Sequence, residues 1–376
     1  MLTPAHTDEV ADAVREAARA GAARRVVGRG TWLQGGVARA DAPPLSVAAL
    51  DGLVEYVPGD LVITVRAGTS LAAVDAATRA AGQLLAVAPY GTDDGSVGAT
   101  VATASAAPLA LEHKTVRDLV LGLTMVTGTG DVVRVGGRVV KNVAGFDLVR
   151  LATGAWGTLG VITEVSLRLH ARPAVDELAG FPLEGPAARW VPALAALRVP
   201  LPLLVRAAPG EAPLLVARLA GAPSRVAALR GLLTDALRDA LGHVPQDTPL
   251  DPSVWWPRLR TVPASAYALR WRTAPSHAAA LFDGVGTAFP DGVRLLDPAR
   301  GGVRVTGPDG SHQGAPGQPL ATAVARLRDA MPPQLAPHGL ALAVDQGALP
   351  ARPASALEAG VRRALDPHGV LNPPCP

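Results

Sequence analysis

The residues best suited to binding chemistry lie in a glycine-rich stretch in the first half of the chain. Gly145, Gly154, Gly157 and Gly160 fall within a span of sixteen residues. A glycine has no Cβ, so the backbone at these positions can approach a ligand or another backbone closely. Apolar residues then alternate along 161–170, and this period of two predicts a half-buried strand. A flat ligand held against main chain would explain these glycines, and ordinary loops in a chain with 40 glycines would explain them equally well.

Two earlier stretches offer a similar small-residue surface. After an apolar pair at 26–27, the loop 28–36 contains glycines whose consecutive N–H groups could face a phosphate. Leu33 excludes a Gly-x-Gly-x-x-Gly dinucleotide pattern and no Gly-Lys-Ser/Thr follows, so a generic turn is the alternative. The second stretch, 90–103, has almost no bulk or charge after Asp94, which leaves room for a large flat ligand. A tight helix start capped by Ser96 is the alternative there.

Side chains for acid–base or metal chemistry are sparse. The eight histidines are scattered, and His113, beside Lys114 and near the small-residue stretch, is the best placed of them. The string 307–313 contains one Asp and one His, whereas a metal site needs three or four converging ligands, so we predict a surface turn and no metal site. The single Cys375 cannot form an internal disulfide, a zinc site or an iron–sulfur cluster. The sequence identifies no catalytic residue.

The elements that must position these loops follow from hydrophobic periodicity. The first helix is predicted at 7–23 and the second at 70–81, with Gly82 ending the second. A strand is predicted at 61–66. A hairpin is predicted at 119–135, turning at 128–131, where Gly and Asp tolerate positive φ.

Beyond Pro173 the pattern is that of an α+β domain in which helices cover one face of a sheet. The predicted strands are 178–183, 203–207, 214–219, 268–272, 293–296, 303–306 and 340–344. The predicted helices are 186–197, 224–241, 276–289, 319–330 and 354–365. The pair Trp255-Trp256 is either core or an interface anchor.

Length and composition indicate a soluble protein of several domains. A chain of 376 residues suggests two or three domains. The net charge of +3, without a run of five basic residues, argues against a nucleic-acid or membrane surface. We find no secretory signal and no apolar run of roughly 20 residues that would predict a transmembrane segment. We therefore expect a cytoplasmic protein.

Five motifs, taken in order, resemble a known family. They are Gly-Arg-Gly-Thr at 28–31, Gly-Ser-Val-Gly at 95–98, Val-Lys-Asn-Val-Ala-Gly-Phe-Asp-Leu at 140–148, Gly-Thr-Leu-Gly-Val-Ile-Thr-Glu at 157–164 and Asp-Pro-His-Gly-Val-Leu-Asn-Pro at 366–373. The set resembles the FAD-binding flavoproteins of the vanillyl-alcohol-oxidase and p-cresol-methylhydroxylase (PCMH) type, and it covers roughly 25–172 and 364–374. Within this family, 116–122 and 140–148 look most like the FAD-binding subunits of bacterial glycolate oxidases.

The resemblance implies a fold and its boundaries. It implies an α+β chain with a PCMH-type two-lobed FAD-binding domain at 1–172, the lobes at about 1–50 and 51–172. A smaller α+β cap domain would occupy 173–350. The C-terminal segment 351–376 would return to the FAD domain.

The resemblance also assigns cofactor-binding residues. The FAD pyrophosphate would be held by Gly28, Arg29, Gly30 and Thr31, and the flavin and pyrophosphate would be lined by Gly95, Ser96, Val97, Gly98 and Thr100. The adenine end would be held by Gly157, Gly160, Val161 and Ile162, and Asn142, Gly145 and Asn372 would lie toward the isoalloxazine with Lys141. The departures are Ala99, where many relatives carry Gly, and Trp32 beside the pyrophosphate loop. Because that loop holds no His, Cys or Tyr, we expect non-covalent FAD.

The function implied is that of an FAD-binding subunit of a glycolate oxidase complex. Such a complex oxidises glycolate to glyoxylate and passes electrons through flavin, with a larger catalytic flavin subunit and an iron–sulfur subunit as partners. The chain lacks the His-x-Gly-Asp-Gly-Asn type of motif that family members use to bind metal and position a 2-hydroxy acid. We therefore expect poor turnover by this chain alone, in the cytoplasm or held at the inner membrane through its partners. The alternatives are a stand-alone FAD-dependent 2-hydroxy-acid dehydrogenase of the D-lactate type and a cofactor-free structural subunit.

Overall fold

The computed structural model describes residues 1–31, 42–105, 115–137, 147–197, 199, 201–261, 267–307, 320–330, 341–346 and 355–372. The chain divides into two compact units, residues 1–172 with 350–376 and residues 173–349. The predicted site residues Asn142 and Gly145 lie outside the described residues, as do Trp32, His113, Lys114, Lys141 and Cys375. Most of the string 307–313 also lies outside them.

The first unit is built on a five-stranded antiparallel sheet. Its strands are β3 (Leu53–Val57), β4 (Val62–Arg66), β6 (Val120–Val126), β7 (Val132–Gly136) and β8 (Val161–Arg168), in the order β3-β4-β8-β6-β7. The predicted hairpin is confirmed, because β6 pairs with β7 and Gly130 adopts a φ of +82° in the turn between them. The central strand β8 confirms the half-buried strand that was predicted after the glycine stretch. Because β8 begins at Val161, the glycine loop ends at Gly160.

Two short strand pairs complete the sheets of this unit. Strands β1 (Arg25–Val27) and β2 (Pro44–Ser46) are parallel to each other. Strands β5 (Gln83–Leu84) and β9 (His170–Ala171) are antiparallel. Strand β1 runs directly into the predicted pyrophosphate loop at Gly28, so its neighbours determine the position of that loop.

Helices of the first unit pack against the sheet through small and branched apolar residues. They are α1 (Thr7–Ala20), α2 (Leu71–Arg79), α3 (Val97–Thr103), α4 (Val116–Leu119) and α5 (Leu148–Ala152). Val14 of α1, Val74 of α2 and Val101 of α3 are buried in the same cluster as Val165 of β8. This core holds α3, which forms the second half of the small-residue stretch 90–103, against the sheet that carries the glycine loop.

The ends of the first two helices have local causes. Helix α1 ends at Ala20, before the predicted residue 23, because Gly21 adopts a φ of +61° and turns its N–H back toward Ala17 and Ala18. Helix α2 begins after Ser70, whose hydroxyl accepts a hydrogen bond of 3.1 Å from the N–H of Ala73.

The second unit is an eight-stranded antiparallel sheet. Its strands are β10 (Val175–Pro182), β11 (Leu203–Ala207), β12 (Leu214–Gly221), β13 (Thr248–Leu250), β14 (Ala268–Arg272), β15 (Val293–Asp297), β16 (Gly302–Thr306) and β17 (Ala341–Gln346), in the order β13-β10-β12-β11-β15-β16-β14-β17. Its helices are α6 (Ala187–Ala196), α7 (Pro223–Leu241), α8 (Pro252–Arg260), α9 (Ala278–Ala288) and α10 (Leu320–Ala330). The predicted α+β class is confirmed.

The core of the second unit lies between the sheet and its helices. Trp190 of α6 and Phe282 of α9 make an edge-to-face contact with ring centroids 5.9 Å apart. They join Leu203, Val205 and Leu215, which project from neighbouring strands into the same cluster. Helices α6, α7, α9 and α10 contribute to this one cluster with the sheet, which agrees with the prediction for these four helices.

The prediction missed α8, which carries Pro252 at its start and Pro257 within it. Proline is an unfavourable signal inside a helix, so the segment gave no helical pattern. Neither Trp255 nor Trp256 on this helix is fully buried, and the guanidinium of Arg258 lies 5.3 Å from the ring centroid of Trp255. The core interpretation of this pair is therefore wrong, since neither ring belongs to the buried core, and Trp255 makes a cation–π contact.

The C-terminal segment packs on the first unit. It contains α11 (Ala356–Leu365), which Ser355 and Glu358 start with a reciprocal capping box. The N–H of Gly128, in the β6–β7 turn, donates to the carbonyl of Leu365 at 2.8 Å, and the N–H of Arg24 donates to the carbonyl of Val370 at 2.6 Å. The segment thus reaches the start of β1.

Candidate functional site

The Gly28 loop and the start of α3 are in direct contact. A Cβ added at Gly28 would lie 2.3 Å from Oγ of Ser96 and 3.2 Å from Cβ of Ala99. A Cβ added at Gly95 would lie 3.5 Å from Oγ1 of Thr31. The first two predicted cofactor segments therefore meet, and the meeting requires glycine at position 28.

The end of β2 fixes the Gly28 loop from the other side. The N–H of Val47 donates to the carbonyl of Val27 at 2.9 Å, and the hydroxyl of Ser46 donates to the carbonyl of Gly28 at 3.3 Å. Gly30 adopts a φ of +76°, a left-handed conformation that glycine takes without steric cost. Arg29, Gly30 and the following Thr31 are exposed, so the loop presents main chain and a guanidinium to solvent.

The start of α3 is fixed by main-chain bonds to the connection between β4 and α2. The N–H of Val97 donates to the carbonyl of Thr69 at 2.8 Å, and the N–H of Gly98 donates to the carbonyl of Ala67 at 2.8 Å. A Cβ at Gly98 would lie 2.7 Å from Cβ of Ala67, so this position also requires glycine. Ser96 caps the helix, since its Oγ accepts from the N–H of Ala99 at 3.4 Å.

Thr100 and Ala99 complete the helix start. The hydroxyl of Thr100 donates to the carbonyl of Ser96 at 3.1 Å, and its side chain is buried. Ala99, where relatives of the implied family carry Gly, is half-buried and faces Gly28. The extra methyl group is accommodated because Gly28 has none.

The glycine loop at 154–160 is held against the C-terminal end of α3. The N–H of Gly154 donates to the carbonyl of Val101 at 3.0 Å, and the N–H of Trp156 donates to the carbonyl of Ala102 at 2.8 Å. Trp156 adopts a φ of +54° and Gly157 a φ of +70°. The left-handed conformation is rare for a residue with a Cβ, so the contacts around Trp156 must hold it there.

Asn372 joins this loop to β1. Its Oδ1 accepts from the N–H of Val26 at 2.7 Å, and its Nδ2 donates to the carbonyl of Trp156 at 2.8 Å. A Cβ added at Gly157 would lie 3.0 Å from that Nδ2. The resemblance places Asn372 toward the isoalloxazine, whereas the structure shows its carboxamide bonded to the main chain of two neighbouring segments.

Gly160, Val161 and Ile162 lead the loop into the sheet. A Cβ at Gly160 would lie 3.1 Å from both Sδ of Met125 and the carbonyl oxygen of Val126. Val161 and Ile162 pair with Val126 and Met125, and both side chains are buried. These positions offer a ligand their main chain rather than their side chains.

The structure thus brings together most of the described site residues predicted from the sequence. Segments 28–31, 95–100, 154–157 and 372 form one continuous set of contacts. Sequence reasoning missed Val26, Ala67, Ala102 and Trp156, whose main-chain groups hold this set together. Their types carry no chemical signal, and only the flanking glycines of Trp156 mark it in the sequence.

The arrangement fits a long anionic dinucleotide such as FAD. Glycines stand where neighbouring segments leave no room for a Cβ, and the Gly28 loop presents exposed N–H groups and the cation of Arg29. Such a surface can bind a pyrophosphate through main chain and leave space for flat ring systems.

The second unit contains a carboxyl group with a shifted pKa. Asp297 and Arg272 both pair with Gly302 from opposite sides, so they lie on the same face of the sheet. Burial raises the pKa of Asp297, and the Arg300 and Arg272 guanidinium groups oppose this shift. Oδ1 of Asp297 also accepts from the N–H of Arg300 at 3.0 Å, which stabilises the β15–β16 turn. A carboxyl group with a raised pKa is closer to the range in which it can accept and release protons near neutrality.

Within the described residues, no three His, Cys, Asp or Glu side chains are grouped so that they could hold a metal ion. No helix in the described part of the chain has the length and apolar character needed to cross a membrane.

The chain is similar in sequence to a family of FAD binding domains and to several oxidoreductases. Residues 1–136 match the FAD binding domain family. Over 131 residues the chain is 46% identical to glycolate oxidase subunit GlcE of Escherichia coli, and this covers 34% of the chain and 37% of GlcE. Over 174 residues it is 33% identical to D-2-hydroxyglutarate dehydrogenase of Xanthomonas citri pv. viticola, covering 46% of the chain and 37% of that enzyme. The matches thus span little more than a third of these relatives.

Comparison of structures extends the likeness to the whole fold. A solved alkyldihydroxyacetonephosphate synthase aligns with 98% of the chain and 74% of the synthase, with a TM-score of 0.70 and 14% identity. At this identity the likeness concerns the fold. It supports the α+β class.

Glycine at position 28 should be required for FAD binding. A Gly28→Ala methyl group would displace Oγ of Ser96, and such overpacking costs about 1–3 kcal/mol, so we expect FAD affinity to fall roughly 10-fold. In Gly28→Ala/Ser96→Ala the nearest remaining atom of residue 96 is Cβ at 3.5 Å, so part of the affinity should return. Titration of the apo chain with FAD, followed by flavin fluorescence, measures both effects. Wild-type affinity in the single Gly28→Ala variant would contradict this packing requirement.

Proposed function

We propose, starting from the match of residues 1–136 to the FAD binding domain family, that this chain is the FAD-binding subunit of a glycolate-oxidising complex. The observation that carries the proposal is the 46% identity to glycolate oxidase subunit GlcE over 131 residues. D-2-hydroxyglutarate dehydrogenase and D-lactate dehydrogenases are also among its relatives, which supports oxidation of a 2-hydroxy acid in general.

The residues of the convergent loops have distinct proposed roles. Gly28, Gly30 and Thr31 bind the pyrophosphate through their N–H groups, and Arg29 supplies a positive charge. The stretch from Gly95 to Thr100 lines the cofactor with small groups. Gly157, Gly160, Val161 and Ile162 hold the adenine end through main chain. Asn142 and Gly145, with Lys141, belong near the flavin ring on the strength of the resemblance.

Bound FAD supplies a two-electron acceptor, and the chain's own residues orient it and exclude water from its ring. Oxidation of a 2-hydroxy acid also needs a base for the hydroxyl proton and a cation or metal for the carboxylate. The sequence motif that supplies these groups in 2-hydroxy-acid oxidising members of the family is absent from this chain. We therefore assign these roles to a larger catalytic flavin subunit, and onward electron transfer to an iron–sulfur subunit.

One observation favours a second candidate, a stand-alone 2-hydroxy-acid dehydrogenase. Asp297 has a raised pKa and shares a sheet face with Arg272, and for this candidate we assign them as proton acceptor and carboxylate anchor. Its bond to the N–H of Arg300 equally suits a turn-stabilising role. The activity of the isolated chain separates the two candidates.

FAD should be bound without a covalent bond. Residues 28–31 contain no His, Cys or Tyr that could attach it. Purified chain loaded with FAD should be yellow, and acid precipitation should release the flavin absorbance into the supernatant. A yellow pellet would contradict non-covalent binding, and a chain that takes up no FAD would contradict the proposed function in favour of a structural subunit.

The isolated, FAD-loaded chain should turn over glycolate and D-lactate slowly or not at all. The measurement is anaerobic bleaching of the flavin absorbance by each substrate, followed by steady-state assay with a dye acceptor. Rapid bleaching without partner subunits would overturn the subunit assignment. In that event Asp297→Asn tests the dehydrogenase, because loss of the base should lower kcat and leave FAD binding unchanged.

A further inference from the structure

Asn372 connects two main-chain segments that are remote from it and from each other in sequence. Its Oδ1 accepts from the N–H of Val26, 346 positions away, and its Nδ2 donates to the carbonyl of Trp156, 216 positions away. Val26 lies just before the Gly28 loop, and Trp156 lies just before Gly157. One carboxamide therefore bridges the loop proposed to hold the FAD pyrophosphate and the loop proposed to hold its adenine end.

The bridge sets the orientation of a peptide group. Because a peptide unit is planar and trans, its N–H points opposite to its C=O. Asn372 fixes the carbonyl of Trp156, and it therefore also fixes the direction of the N–H of Gly157. The same bond restrains Trp156 at a φ of +54°, a conformation that costs roughly 1–3 kcal/mol for a residue with a Cβ.

Asn372 is itself held by its own segment. The guanidinium of Arg362 donates to the carbonyl of Asn372 at 2.6 Å. The buried carboxylate of Asp366 accepts from the N–H groups of Val370 and Leu371 at 2.9 and 3.0 Å. Burial lowers the pKa of Arg362, and the nearby Asp366 carboxylate opposes that shift. Asn372 therefore projects from a loop that is held by hydrogen bonds within its own segment.

The segment is also anchored without Asn372. The carbonyls of Leu365 and Val370 accept from the N–H groups of Gly128 and Arg24, and the side chains of Val370 and Leu371 are buried in the core of the first unit. Loss of the Asn372 carboxamide should therefore leave the segment in place and release only the two loops.

We propose that Asn372 is a positioning residue for the cofactor, and that the segment 355–372 uses it to set the affinity of the chain for FAD. This inference rests on the proposed FAD-binding function. It gives Asn372 a role through Val26 and Trp156, in place of the direct approach to the flavin ring that the resemblance implies.

The test compares full-length variants at position 372. Asn372→Ala removes three side-chain hydrogen bonds, namely the two described above and a longer one of 3.5 Å from Nδ2 to the carbonyl of Val26. Each such bond contributes about 0.5–1.5 kcal/mol, so FAD affinity should fall roughly 10-fold. Asn372→Asp keeps an acceptor for the N–H of Val26 but sets a carboxylate oxygen against the carbonyl of Trp156. Asn372→Asp should weaken FAD binding as well, and it is the variant to use if Asn372→Ala does not fold. FAD titration of each apo chain measures the affinities.

Amide hydrogen exchange of the apo chains supplies a readout independent of FAD. Asn372→Ala should speed exchange at both Val26 and the Gly157 loop. Asn372→Asp should speed exchange at the Gly157 loop and leave Val26 protected. A residue that only stabilised the fold would not produce this difference between the two variants.

Ser355→Ala is the matched control in the same segment. The hydroxyl of Ser355 accepts from the N–H of Glu358 at 3.2 Å, and loss of such a helix cap costs about 1 kcal/mol. This variant should lower the Tm of the apo chain and leave FAD affinity within about 2-fold of wild type, because Asn372 is untouched.

The outcomes separate the inference from the function it rests on. If Asn372→Ala binds FAD with wild-type affinity, or if Ser355→Ala loses as much FAD affinity as Asn372→Ala, the positioning role is overturned. FAD binding by the wild-type chain would be unaffected by either result. A wild-type chain that binds no FAD would overturn the proposed function itself. A loss of FAD affinity in the position-372 variants but not in Ser355→Ala would support the inference.

Discussion

The close approach of main chain to its neighbours at Gly28, Gly98 and Gly157 is the constraint on which the candidate site depends. At these positions an added Cβ would lie 3.0 Å or less from Ser96, Ala67 and Asn372 respectively. Real Cβ atoms do not approach other atoms so closely without a shift of one partner. Glycine at these positions therefore lets the loops converge without displacing a neighbour, and the surface they form is mostly backbone.

A site made of backbone explains what the sequence could and could not predict. The glycines and the Ser96 cap are visible in the sequence, and they predict that these segments lie close to something. The partners of those glycines, such as Ala67 and Val26, are ordinary apolar residues, and nothing in their type marks them. Asn372 is visible as a motif residue, but its partner Val26 is 346 positions away, a distance over which spacing carries no information.

Regular elements were more predictable, because burial imposes a period on the sequence. Strand β11 was predicted with its observed bounds, and α7 within one residue at its start. The errors fall where a local signal overrides the hydrophobic period. Gly21 ends α1 before the predicted residue, and two prolines conceal α8. Trp255 shows that a large aromatic residue does not by itself predict core, since a half-buried ring can be covered by an arginine side chain.

The C-terminal segment gives the first unit a dependence on the end of the chain. Residues 1–172 contain the loops, but the carboxamide that bridges two of them arrives only after the chain has passed through residues 173–349. The bridge between these two loops can therefore form only after residue 372 has been made.

The central claim is that one cofactor is held at once by loops from separate parts of the sequence. Amide hydrogen exchange of the full chain, with and without saturating FAD, tests this claim most directly. The account predicts that FAD protects 26–31, 95–101 and 154–160 together, more strongly than it protects the strands of the second unit. Protection of only one of these stretches, or equal protection across the whole chain, would contradict it.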